Sequence, residues 1–101
     1  MGLLDFLFRK QKRDIEHFKS KGAIILDVRT PKEYKKDHII GSENVPIDQL
    51  QQKKSTLKKA QKPFIVCCAS GVRSAKAVKF LLLNGIEATN GGSYKSLKKI
   101  L

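Results

Sequence analysis

Residues that could do chemistry crowd into one short stretch, Cys67-Cys68-Ala69-Ser70-Gly71-Val72-Arg73-Ser74. A thiol is the strong nucleophile among them, and its reactive form is the thiolate. Upstream, the apolar run Phe64-Ile65-Val66 reads as a short buried strand. Downstream, Ala75, Val78 and Leu82 lie beside Ala77 and Leu81 on adjacent stripes of a helix that Asn84-Gly85 stops. Cys68 therefore falls where a strand ends and a tight turn runs into a helix N-terminus. Unpartnered N–H groups converge at such a turn, which suits an anion and lowers a thiol pKa.

The surrounding elements must hold that turn in place. Ile15 and Phe18 mark a short amphipathic helix from Asp14 to Lys21, ended by Gly22. Ala23 to Leu26 is a compact strand that runs out into Asp27-Val28-Arg29-Thr30. Thr30 caps a helix with Pro31 at its first position and Glu33 in its first turn. Glu43 to Pro46 reads as a second short strand, and Asp48 as the cap of a lysine- and glutamine-rich helix to about Ala60. Ile86 to Thr89 is a further strand, Asn90-Gly91-Gly92 a turn, and Ser93 the cap of a last helix. Alternation at this spacing predicts an α/β domain with a small, mostly parallel open sheet and helices on both faces. Ligands of such sheets bind at the carboxyl ends of strands. Asp27-Val28-Arg29 and Cys67-Cys68 both lie there.

With 101 residues, 41% of them hydrophobic, the chain supports one core. No apolar run approaches membrane-spanning length, and the N-terminus places apolar residues before basic ones, the reverse of a secretory signal. Two adjacent cysteines make no disulfide framework and favour a reducing compartment, so a cytoplasmic location is expected. With His17 and His38 they show no zinc spacing, and neither metal nor cofactor is expected. The net charge of +12 comes from isolated lysines and Lys-Lys pairs, without aromatic interleaving or an arginine-rich tract. It reads as a solvated surface that raises the local concentration of a small anion rather than as a nucleic-acid site. Residues 1–13 form an apolar then basic extension, too short to span a bilayer but able to lie on a membrane surface, to dock on the domain or on a second subunit, or to fray. The domain proper is expected over residues 14–101.

Four ordered motifs from about residue 12 onward resemble the rhodanese (sulfurtransferase) domain. Leu26-Asp27-Val28-Arg29-Thr30-Pro31-Lys32-Glu33-Tyr34 is similar to that family's first signature, and His38 through Pro46 to its second. Cys68-Ala69-Ser70-Gly71-Val72-Arg73-Ser74 resembles the active-site loop of single-domain members, and Asn90-Gly91-Gly92 the glycine pair near the end. Asp37 stands where the family commonly has a glycine. Ser96 stands where it commonly has an aromatic residue, with Tyr94 nearby. The resemblance implies a ping-pong sulfur transfer in which Cys68 takes sulfur from a donor such as thiosulfate and passes it to cyanide or a thiol. A protein sulfur-relay partner is a related option.

Site roles follow. Cys68 is the nucleophile, and Ala69, Ser70, Gly71, Val72, Arg73 and Ser74 form the loop that binds substrate, with Gly71 making the tight turn. Asp27 and Arg29 are expected to brace this loop. Arg73 is either an anion contact or an ion-pair partner, with Asp27 as the candidate. Cys67 precedes the nucleophile in a strand, faces the other way and reads as core. His38 reads as a structural hydrogen-bonding residue. Counting from Cys67 instead fits a Cys-x5-Arg-Ser phosphatase with Cys67 as nucleophile. A non-catalytic interaction module on the same scaffold is the third reading.

Overall fold

Residues 2–101 are described by a computed structural model of the chain. Helix α1 (Leu3–Ser20) is continuous, and the short helix expected from Asp14 is its second half. No proline or glycine interrupts Leu3–Ser20, so the helix extends back through the apolar residues. Ile15 and Phe18 anchor the second half on the domain, whereas residues 2–10 are all exposed. Strand β1 (Ile24–Asp27) leads to α2 (Pro31–Lys36). Thr30 Oγ1 accepts from the Glu33 N–H at 3.2 Å, and the Glu33 carboxylate accepts from the Thr30 N–H at 3.1 Å. This reciprocal capping box fixes the start of a helix of only six residues.

Strand β2 (Glu43–Asn44) is shorter than expected, and a 3-10 turn over Ile47–Gln49 leads into α3 (Leu50–Lys59). Asp48 does not cap α3. It lies inside that turn, and the chain enters α3 from Gln49 with no side-chain cap, because the backbone is already winding helically. Strand β3 (Phe64–Cys68) and α4 (Val72–Leu83) form the expected strand–turn–helix. Strand β4 (Ala88–Ser93) differs from the reading of Asn90-Gly91-Gly92 as a turn: all three lie within the strand. Val66 pairs with Asn90 and Cys67 with Gly92, so Gly91 is an extra residue, a bulge in β4. A Cβ on Gly91 would lie 2.9 Å from both Ile65 Cγ2 and Leu97 Cδ2, so only glycine fits. The last helix, α5 (Tyr94–Ile100), is capped by the Ser93 hydroxyl, which accepts from the Ser96 N–H.

The sheet is wholly parallel, in the order β2-β1-β3-β4. All five residues of β3 are buried, as expected of a central strand covered on both faces. On one face, Leu50 and Leu57 of α3 with Ala77 and Leu81 of α4 pack on Leu26, Phe64, Val66 and Cys68. On the other, Ile15 of α1 and Leu97 of α5 pack on Ile25, Ile65 and Cys67. Strand alternation thus sends the two adjacent thiols to opposite cores. Among the described residues, no helix is long and apolar enough to cross a membrane.

Candidate active site

Strand β3 delivers Cys68 to its carboxyl end, and the chain then reverses over Ala69 and Ser70 into α4. Gly71 makes the reversal at φ +100°, a conformation that an L side chain resists. That geometry turns the Gly71 N–H back onto Cys68 Sγ at 3.0 Å. The Ser74 N–H, from the open first turn of α4, reaches the same sulfur at 3.4 Å, and the Ser74 hydroxyl also lies 3.4 Å from it. Burial by itself pushes the Cys68 thiol up. The Ser74 hydroxyl and the N–H groups of Ser74, Gly71 and Ser70 more than offset this, leaving its pKa below the ordinary thiol value.

Cys67 is a contrast of environment with the same chemistry. Desolvation, with the Asp27 charge adding to it, pushes its pKa up to about 12. The amides of the loop face Cys68, so the phosphatase reading has no anion cradle at the cysteine it requires. Cys68 has no exposed surface, while Ala69 and Ser70 above it are exposed.

Asp27, fully buried, holds Arg29 in a fork: Arg29 Nε donates to Oδ1 at 2.9 Å and Nη2 to Oδ2 at 2.7 Å. The Arg29 guanidinium lies 3.8 Å from the centre of the Tyr94 ring and donates to the Asp37 carbonyl at 2.8 Å. Tyr94 supplies an aromatic surface at this end of the sheet, while Ser96 is exposed. Asp37 is no obstacle where a glycine is common, since its backbone is extended at φ −166°. Its carboxylate accepts from the Tyr94 hydroxyl at 3.1 Å.

Arg73 does not pair with Asp27. Its guanidinium grips the Glu33 carboxylate through two bonds, of 2.7 and 3.0 Å, which ties α4 to the capping box of α2. The Arg73 fork, with the Thr30 N–H, draws the Glu33 pKa down to about 2. His38 is structural, its Nδ1 lying 2.7 Å from the Tyr34 carbonyl and its ring stacked on Tyr34.

Sequence reasoning missed Asn90. Its Oδ1 accepts from the Ser74 hydroxyl at 2.7 Å and the Gly92 N–H at 2.9 Å, and its Nδ2 donates to the Gly71 carbonyl at 3.2 Å. One amide side chain thus holds Gly71 and Ser74, two of the residues that donate to Sγ. Gln11 of α1 supports it, donating to the Asn90 carbonyl at 3.1 Å. The clue available in the sequence was a polar residue ahead of two glycines, which reads equally well as a turn.

Fold and site together define a class: a parallel α/β domain that presents a strand-end thiol, its pKa lowered, to a cradle of main-chain amides. The chain belongs to the rhodanese-like domain family, whose model matches residues 11–98. It is 40% identical over 63 residues to the uncharacterised protein YqhL of Bacillus subtilis, matching 62% of this chain and 49% of that protein. It is 32% identical over 81 residues to the tRNA sulfurtransferase of Thermoplasma acidophilum, matching 80% of this chain but 16% of that enzyme. The crystal structure of a rhodanese-related protein from Thermoplasma volcanium superposes with a TM-score of 0.71 at 33% identity, covering 87% of this chain and 88% of that one.

Proposed function

We propose that the protein is a sulfurtransferase that carries sulfane sulfur on Cys68. The observation that supports this best is the pair of N–H groups, from Gly71 at 3.0 Å and Ser74 at 3.4 Å, directed at one strand-end sulfur. With thiosulfate, the Cys68 thiolate attacks the outer sulfur. A bond forms between Sγ and that sulfur, the donor's S–S bond breaks, and sulfite leaves with the electron pair. Cyanide or a thiolate then attacks the terminal sulfur of the persulfide, forming thiocyanate or a new persulfide and returning Cys68 as thiolate. The same amides stabilise negative charge on Sγ before transfer and on the persulfide after it.

The donor is expected to be a small anion, drawn by the net charge of +12, and a depression beside Ala69 through which it could approach is lined by Arg29, Lys36 and Lys95 together with Glu33 and Asp37. Sulfur chemistry in the tRNA sulfurtransferase relative supports the reading, and a protein persulfide serves as donor by the same displacement. Intact mass after incubation with thiosulfate tests it. A gain of one sulfur atom is expected, lost in Cys68→Ser and kept in Cys67→Ser. Phosphate release from a monoester that depends on Cys67 would replace this reading with the phosphatase. No uptake from any sulfur donor would leave a non-catalytic binding module.

A further inference from the structure

The first half of α1 is not accounted for by this chemistry or by the core. Leu3, Leu4, Phe6, Leu7 and Phe8 are 73%, 69%, 57%, 47% and 65% exposed. On a helical wheel these five cover a little over half the circumference, with Asp5 on the remainder. Leu4, Leu7 and Phe8 form the apolar wall of a groove whose other walls are polar, Lys10, Gln11 and Asp14 of the same helix with Thr89 and Asn90 of β4, so the apolar surface belongs to the helix. Isolated exposed apolar residues need no explanation, but a contiguous patch on one projecting helix does.

Charge identifies what covers it. The apolar segment is followed immediately by Arg9, Lys10, Lys12 and Arg13, on a chain whose net charge is +12. Lys10 bonds Asp14 at 3.2 Å, but both side chains are largely exposed, so that pair leaves the cation near solvent. A second copy of the chain, itself at net charge +12, would meet that collar with charge of the same sign. A surface that is apolar inside and anionic outside matches both halves of the pattern: the leucines and phenylalanines enter the acyl boundary and the collar meets the headgroups. We infer that the first half of α1 docks this domain on an anionic lipid bilayer, lying in its surface without spanning it. Phe8 lines one depression with Ser70, Gly71 and Val72, so the docking helix lies next to the Cys68 loop. The inference does not depend on the sulfur chemistry.

The chain has no tryptophan, so Phe6→Trp gives a single emission reporter. With vesicles of phosphatidylglycerol and phosphatidylcholine, its emission is expected to shift to the blue and the protein to sediment with the lipid. With phosphatidylcholine alone, neither is expected. Leu4→Gln with Leu7→Gln keeps good helix formers and is expected to weaken sedimentation by at least about tenfold, with an unchanged circular dichroism spectrum. Lys12→Gln with Arg13→Gln is expected to weaken it by about tenfold or more. Failure to bind anionic vesicles would overturn the inference. So would binding that ignores Leu4 and Leu7, since bulk charge would then suffice. A dimer in ultracentrifugation that needs Leu4 and Leu7, with no vesicle binding, would assign the patch to self-association instead.

Discussion

Replacing Ser74 by alanine isolates one donor from the cradle around Cys68. The hydroxyl lies 3.4 Å from Sγ and 2.7 Å from Asn90 Oδ1. It has one hydrogen. While the thiol is protonated, that hydrogen goes to Asn90, and the hydroxyl oxygen can accept from the S–H. When the thiolate forms, the hydrogen must turn to the sulfur, and Asn90 keeps only the Gly92 N–H. A hydrogen bond to a charged group is worth about 1.5–3 kcal/mol and the neutral bond surrendered about 1 kcal/mol, so the net gain is roughly 1 kcal/mol. Ser74→Ala should therefore reduce the thiolate population at pH values below the midpoint by about fivefold, moving the ionisation upward.

Iodoacetamide alkylation followed by intact mass across pH measures this, in a Cys67→Ala background that leaves one thiol. The rate at high pH, where both proteins are fully ionised, should agree within about twofold if access to Sγ is unchanged. A profile that does not move, or moves downward, refutes the role assigned to the hydroxyl. A fall at every pH would show that the loop had changed shape instead.

Further outcomes follow from the same geometry. Cys67 ionises at about 12 in the fold against 9.0 in an ordinary thiol, so the unfolded chain releases its proton first as pH rises. That stability is intact below pH 9 and lost above it. At pH 10 urea melts should show wild type about 1.4 kcal/mol less stable than at neutral pH by a term absent from Cys67→Val. Arg73→Ala removes the clamp on Glu33, whose contribution is present above about pH 4.5 and lost as pH falls toward 2. Both partners are about one-third exposed, so screening limits the loss at neutral pH to about 1 kcal/mol or less, read by thermal melts. Sulfur uptake by Cys68 should persist in that variant. Asp27→Ala strands a buried guanidinium and should cost about 3–5 kcal/mol, enough to be seen as a large fall in urea midpoint. Gly71→Ala must hold φ near +100° with its Cβ 3.4 Å from Gly92 Cα, and should lower both thiolate reactivity and sulfur uptake by turning the N–H away from Sγ.

Local interactions were legible because neighbouring residues make them. The Thr30–Glu33 box, the Ser93 cap, the Asn84-Gly85 stop and the strand-to-helix turn after Cys68 each span a few residues, and side-chain chemistry there selects the backbone conformation. The parity of a strand likewise separates Cys67 from Cys68 without coordinates. Which thiol met the amides was the part read from motif resemblance, and the N–H directions at Gly71 and Ser74 supply its physical reason.

Contacts between distant segments were decided by packing. Arg73 could reach several carboxylates, and only the approach of α2 to α4 made Glu33 its partner across 40 residues. Asn90 became the support of the loop because a bulge at Gly91 puts two β4 residues opposite one interval of β3, a register that no local pattern in Asn90-Gly91-Gly92 specifies. The start of α1 read in the sequence only as an apolar then basic extension ahead of a helix from Asp14; it continues that helix, and its first half is exposed because the core contacts of α1 are made by Ile15 and Phe18 in its second half. A sequence encodes what each segment prefers. The shared space into which those segments pack determines which preferences meet.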